Sequence, residues 1–146
     1  KIRDPRTGEV LHRMGDVGYI GDRGRLCFCG RKAHRVVTPH GTLFTDMVEP
    51  IFNAVDNIGR TALVGVTRNG ITYPVLCVEL QPPSHGVEGR RASWPVIVAE
   101  YRKRACEFDH TQHVATFLEH PGFPVDVRHN AKIEREKLAR GLEGKA

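Results

Sequence analysis

A chain of 146 residues with 40% hydrophobic and 27% charged positions reads as an ordinary globular domain, long enough to bury roughly 70% of its unfolded surface. No apolar run is long enough for a membrane span. The net charge of +5 would suit anionic partners, but the basic residues are spread along the chain apart from Arg90-Arg91 and Arg102-Lys103-Arg104. No aromatic-rich strand offers a stacking platform, so nucleic acid is not an expected partner.

In chain order, Asp4-Pro5-Arg6-Thr7-Gly8 is a turn, and Gly21-Asp22-Arg23-Gly24 is another. Arg25-Leu26-Cys27-Phe28-Cys29 follows as a short strand, so this stretch reads as a hairpin feeding a turn at Gly30-Arg31. Thr38-Pro39-His40-Gly41 is a loop. A helix then begins at Thr45 or Asp46, with Glu49 in capping-box spacing to Asp46. Met47, Val48, Ile51, Phe52 and Val55 form its apolar stripe, and Asp56-Asn57 would end it.

Arg60 to Val66 reads as a strand, Asn69-Gly70 as a tight turn needing positive φ, and Ile71 to Leu80 as the partner strand. The run from Pro82 to Gly89 is a surface loop. A second helix runs from about Ser93 to Cys106, with Val96, Ile97, Ala99, Tyr101 and Ala105 as apolar candidates. Val114 to Glu119 is a third strand, stopped by Pro121-Gly122-Phe123-Pro124. From Lys132 onward the chain reads as a last, exposed helix anchored by Ile133 and Leu138. The expected fold is α+β: a small domain of about three strands and three helices over residues 33–146, preceded by a hairpin-rich piece over residues 1–32.

Four cysteines, Cys27, Cys29, Cys77 and Cys106, have no secretory leader ahead of them. The expectation is reduced thiols and a cytoplasmic location. Zinc would need partners such as His34 or His40, and no second Cys-x-x-Cys pair is present, so no metal site is expected. The chain opens on Lys1-Ile2-Arg3-Asp4 without Met, as though cut from something larger.

Three residues carry candidate chemistry. Asp16 lies among small neighbours in Met14-Gly15-Asp16-Val17-Gly18-Tyr19, Arg31 follows Gly30, and Lys132 stands just ahead of a helix. Singly they read as a turn aspartate, a loop arginine and a solvated lysine. In this order they suit nucleotide handling. A carboxylate accepts hydrogen bonds from ribose hydroxyls, a guanidinium adds a rigid fork of donors, and an ammonium offsets charge at a phosphate.

On these motifs the chain resembles the C-terminal part of the adenylate-forming superfamily of acyl-CoA synthetases, peptide-synthetase adenylation domains and luciferases. The family pattern is (T/M)-G-D-x-G-(Y/W), a short strand, G-R, then a swivelling small domain ending in G-K-x-x-R-x-x-L. Here the pieces read MGDVGYIGDRGRLCFCGR and AKIEREKL. The resemblance implies that Asp16 and Arg31 bind ATP, that Lys132 is catalytic, and that Lys32 and Ala33 form a hinge between a large N-terminal domain ending near residue 32 and a mobile lid over residues 33–146. It implies ATP with Mg²⁺, the latter bound mainly through the N-terminal domain, and no adenylation activity for this portion alone.

Within the superfamily, HRMGDVGY, FCGRKAHRV and HPGFPVDVRHNAKIEREKLA resemble the branch that closes a 2-alkyl-3-hydroxy fatty acid to a β-lactone in olefin formation. That resemblance implies AMP and pyrophosphate as co-products, no need for coenzyme A, and other enzymes of the same pathway as possible partners. A fatty acyl-CoA or acyl-AMP ligase is the alternative. Three positions depart from the general pattern. Ala33 takes the usual hinge position. Thr38-Pro39-His40-Gly41-Thr42 replaces a glycine-rich segment that helps bind a thiol acceptor, which favours an intramolecular acceptor. Ala131 replaces the glycine before the lysine, with His129 as a possible polar neighbour.

Overall fold

A computed structural model describes residues 1–81, 92–128 and 132–143. The loop expected from Pro82 to Gly89, and the positions His129, Asn130 and Ala131, lie outside the described residues.

The chain begins with two antiparallel hairpins. β1 (Ile2–Arg3) pairs with β2 (Val10–Leu11), and β3 (Asp16–Ile20) pairs with β4 (Leu26–Arg31). Both expected turns are present. The Asp4 carboxylate accepts the Arg6 N–H at 2.8 Å, and the Gly21 N–H reaches Arg25 O at 2.9 Å. A single 3₁₀ turn, Lys32–His34, leads into β5 (Val36–Thr38) and β6 (Gly41–Leu43). The expected loop at Thr38–Gly41 is thus the tip of a third small hairpin.

α1 (Thr45–Asn53), β7 (Ile58–Arg68), β8 (Ile71–Leu80), α2 (Trp94–Ala105), β9 (Thr116–Glu119), β10 (Val125–Asp126), β11 (Lys132–Ile133) and α3 (Arg135–Glu143) complete the described chain. The central sheet has the order β7-β8-β9. β7 and β8 form a long antiparallel hairpin, whose turn places Asn69 at φ 51° and Gly70 at φ 76°, the positive values that a two-residue connection requires. β9 returns parallel to β8 after the α2 crossover.

Both faces of the sheet are covered, so β7 and β8 are nearly continuously apolar rather than alternating. On one face Leu63, Leu76 and Val78 pack with Val48 and Phe52 of α1, with Ile97 and Tyr101 of α2, and with Phe117. On the other, Ala62, Val64, Val66, Val75 and Cys77 pack with Phe123 and with Leu138 of α3. The molecule is therefore α+β as expected, with three helices among the described residues. Burial pushes the Cys77 thiol up to about 12, which makes it a packing group rather than a reactive one.

The structure corrects several local expectations. α1 starts at Thr45 behind Phe44, with no side-chain cap, and stops at Asn53, two residues short of Val55. Glu49 does not close a capping box, because its carboxylate turns inward to accept the Leu63 N–H at 2.7 Å. In α2 the inward stripe is Ile97, Tyr101 and Ala105, while Val96 and Ala99 are exposed. Lys132 does not begin a helix: Lys132 and Ile133 form a short strand against Asp126 and Val125, and the helix starts at Arg135.

Candidate active site

Asp16 on β3 stands directly opposite Arg31 on β4. Strict alternation would not bring the two side chains to one face. Tyr19 is opposite Cys27, so an uninterrupted β4 would put Arg31 on the Tyr19 side and leave Asp16 on the other. A bulge changes this. Gly18 pairs with Phe28 but Val17 with Gly30, which leaves Cys29 as the extra residue. One inserted residue re-aims everything after it, and Arg31 is turned onto the face of Asp16.

Gly30 makes the bulge possible. It has φ 118°, and a Cβ there would run into the Asp46 carboxylate and the Thr45 hydroxyl at the start of α1. Only glycine fits both conditions, and the close approach seats β4 on α1.

The Arg31 Nε lies 3.1 Å from Asp16 Oδ1, and its Nη1 donates to Met14 O at 2.9 Å. The two side chains remain 48% and 34% exposed. An ion pair this wet contributes about 0–1 kcal/mol to folding, so a ligand can displace its partners with little loss of stability. The Lys32 N–H donates to Gly15 O at 2.8 Å, which carries the hairpin one step further before the 3₁₀ turn of Lys32, Ala33 and His34. Arg31 and Arg35 flank that turn in extended conformation.

Lys132 is exposed on β11. Among the described residues no hydrogen bond or ion pair joins it to Asp16 or Arg31. The link between the two halves of the candidate site is His34, which lies with Lys132, Glu134 and Arg135 on a cleft of about 250 Å³. Burial lowers the His34 pKa, and the positive charges of Arg135, Lys132 and Arg31 lower it further. The imidazole is held neutral within a cationic field drawn from both ends of the chain, a field fit to receive an anion.

Just beyond Lys132, the Glu134 N–H donates to Pro124 O at 2.8 Å, and Glu134 O accepts the Leu138 N–H at 3.1 Å. Arg135 reaches into the domain, where its Nη2 meets Glu49 Oε2 at 2.9 Å. Neither His34 nor the Arg135–Glu49 pair stands out as a site residue in sequence. Arg135 had a signal, since it occupies the arginine position of the G-K-x-x-R-x-x-L pattern. Glu49 had none, because its spacing from Asp46 mimics a cap. Among the described residues no group of three or more His, Cys, Asp or Glu side chains is placed to hold a metal ion, and no helix is long and apolar enough to cross a membrane.

Solved structures share this fold. An ATP-bound RpMatB–BxBclM chimera superposes with a TM-score of 0.69 at 15% identity, over 90% of this chain and 24% of its own. The fatty acyl CoA synthetase of Mycobacterium tuberculosis gives 0.63 at 16% identity, over 91% and 24%. The fold is that of the C-terminal domain of adenylate-forming enzymes.

Within that class the sequence is similar to one kind of enzyme in particular. It is 55% identical over 130 residues to the olefin beta-lactone synthetase of Xanthomonas campestris pv. campestris, and 52% identical to that of Stenotrophomonas maltophilia. Each match covers 89% of this chain but 22% of the relative, so the chain spans less than a quarter of the curated relatives' length. No family model matches the chain.

Proposed function

We propose that this chain is the C-terminal portion of an ATP-dependent carboxylate-activating enzyme that converts a 2-alkyl-3-hydroxy fatty acid to a β-lactone, releasing AMP and pyrophosphate. The observation that carries the reading is the opposed Asp16–Arg31 pair, joined through the His34 neighbourhood to Lys132. Similarity to olefin beta-lactone synthetases supports a β-lactone as the product. Asp16 would accept the ribose hydroxyls, and Arg31 would add donors to ribose or phosphate. Lys132 would bring its charge to the α-phosphate as the acyl-adenylate forms. The acid's own 3-hydroxyl then closes on the activated carbonyl, expelling AMP. Mg²⁺ would enter with the triphosphate and be held mainly by the large N-terminal domain.

In this reading residues 1–32 close the large N-terminal adenylation domain and residues 33–146 form its lid, with Lys32 and Ala33 as the hinge. One 3₁₀ turn between extended residues is a short segment able to absorb backbone rotation. Ile20, Leu26 and Phe28 share one side of the first domain's terminal hairpin and are all more than half exposed, a surface suited to covering by the rest of the adenylation domain. The enzyme would be cytoplasmic, and this portion would not adenylate by itself.

The test is a product assay on the full-length enzyme with ATP and a 2-alkyl-3-hydroxy acid, with and without coenzyme A. The expected product is a β-lactone in both cases. A thioester that forms only with coenzyme A would transfer the chain to the acyl-CoA ligases, the runner-up. A second expectation concerns Asp16→Ala, which should weaken ATP binding measured by calorimetric titration, by about 1–3 kcal/mol if an ionised hydrogen-bond acceptor is lost. Unchanged affinity would remove Asp16 from the nucleotide site.

A further inference from the structure

Lys132 is carried on a weak platform. β10 and β11 pair over only two residues each, and an isolated hairpin of that size does not hold itself together in water. Val125 and Ile133 rest on the core beside Phe123 and Leu138, and a polar tie to the rigid sheet lies three residues beyond Lys132. Arg135 is the first residue of α3 and is only 15% exposed, and its guanidinium meets the Glu49 carboxylate, 13% exposed, at 2.9 Å. The second oxygen of Glu49 accepts the Leu63 N–H of β7 at 2.7 Å. One carboxylate thus bridges α1, the central sheet and the elbow that bears Lys132. Arg135 Nη1 is buried without a hydrogen-bond partner among the described residues, which leaves Glu49 as the group that compensates this charge. Buried ion pairs cost desolvation and are weak evidence for stability, so this one calls for another purpose.

We propose that Glu49 is a positioning residue for Lys132, fixing through Arg135 the angle at which the lysine arm is presented to the nucleotide. This rests on the reading of Lys132 as the group that meets the α-phosphate. The tether depends on charge. Burial raises the Glu49 pKa to about 7, against the attraction of Arg135 and the Leu63 N–H, and Asp46 on the same helix raises it further. Arg135 and Asp46 are the charged groups that face it. Below neutrality the carboxyl takes up a proton and its hold on the guanidinium relaxes. Its contribution to folding has the opposite trend. A carboxyl whose pKa is raised by folding favours the native state most below its unfolded value, and that contribution is lost as pH rises through about 7. Positioning and stability therefore move apart with pH, which allows them to be measured separately.

The experiment uses the full-length enzyme and the adenylation half-reaction, read as ATP–pyrophosphate exchange, with Lys132→Ala as the reference. In Glu49→Gln, kcat should fall at least about tenfold, within the hundredfold that an ångström of misplacement can cost. KM for ATP should stay near the parent value, and the acid limb of the kcat profile near pH 7 should disappear. If Glu49→Gln fails to fold, the paired replacement Glu49→Leu with Arg135→Met keeps the volume apolar, a change that such sites often tolerate. It should melt like the parent and still lose the same rate. A folded variant of either kind with parental kcat and an unaltered pH profile overturns the proposal while leaving Lys132 in place. If Lys132→Ala itself exchanges pyrophosphate at the parental rate, the catalytic reading falls first and the positioning role with it.

Discussion

Replacing Lys132 by alanine in the full-length enzyme should slow formation of the acyl-adenylate at least about 100-fold, close to 3 kcal/mol of transition-state stabilisation. ATP affinity should hardly change. The asymmetry follows from where the residue sits. Lys132 is exposed on a two-residue strand and is engaged with neither Asp16 nor Arg31, so it contributes little to a resting nucleotide site. In the proposed mechanism its charge would count only when the lid brings it to the phosphate as negative charge builds there. Rapid-quench measurement of adenylate formation, together with ATP titration, separates the two effects. A fall in affinity equal to the fall in rate would make the lysine an ordinary binding group.

The second large effect concerns the fold. Phe52 is completely buried between α1 and the sheet, edge-on to Tyr101 with ring centroids 5.2 Å apart and tilted against Phe117 at 5.9 Å. Truncation to alanine removes a whole ring from a face formed by three elements and leaves a cavity that aromatic neighbours cannot easily fill. The expected loss is about 3–5 kcal/mol, a large part of the 5–15 kcal/mol that ordinarily separates native from unfolded chains. Denaturant unfolding should show it as a lower midpoint with an unchanged slope. A loss below about 1 kcal/mol would mean that the three rings do not form a common core.

Much of this fold was legible in the sequence because burial and period agree. The β7–β8 hairpin announces itself by a long apolar run, then Asn69-Gly70, then another. α1 shows its stripe at Val48 and Phe52, both fully buried. The misreadings fall where a residue had a local role available and took a distant one. Glu49 has the spacing of a cap, but a desolvated Arg135 far along the chain outbids the helix end for it. Lys132 adjoins a good helical pattern, yet the ladder with Asp126 draws it into a strand. Val96 and Ala99 are apolar and still face water, because the α2 stripe is set by Ile97, Tyr101 and Ala105. For the candidate site, the glycines around Asp16 and Arg31 pointed to two residues whose side chains do meet, but nothing in the residue types reveals how a two-residue period could unite them. His34 was invisible as a member of the site, since its neighbours Arg31 and Arg135 come from segments about a hundred positions apart.

The extra residue at Cys29 has a consequence for how this region can change over time. Its side chain makes no directional contact that another small apolar group could not replace, apart from a weak thiol link to the Cys27 carbonyl at 3.9 Å. The register it sets is another matter. Flattening the bulge with every residue kept would set Gly30 opposite Asp16 and turn the guanidinium of Arg31 to the far side from the carboxylate, whereas excising Cys29 would leave Arg31 opposite Asp16 in a regular ladder. The hairpin is thus tolerant of replacement at this point, and even of losing this one position, but intolerant of a slip that pleats the strand regularly at its present length.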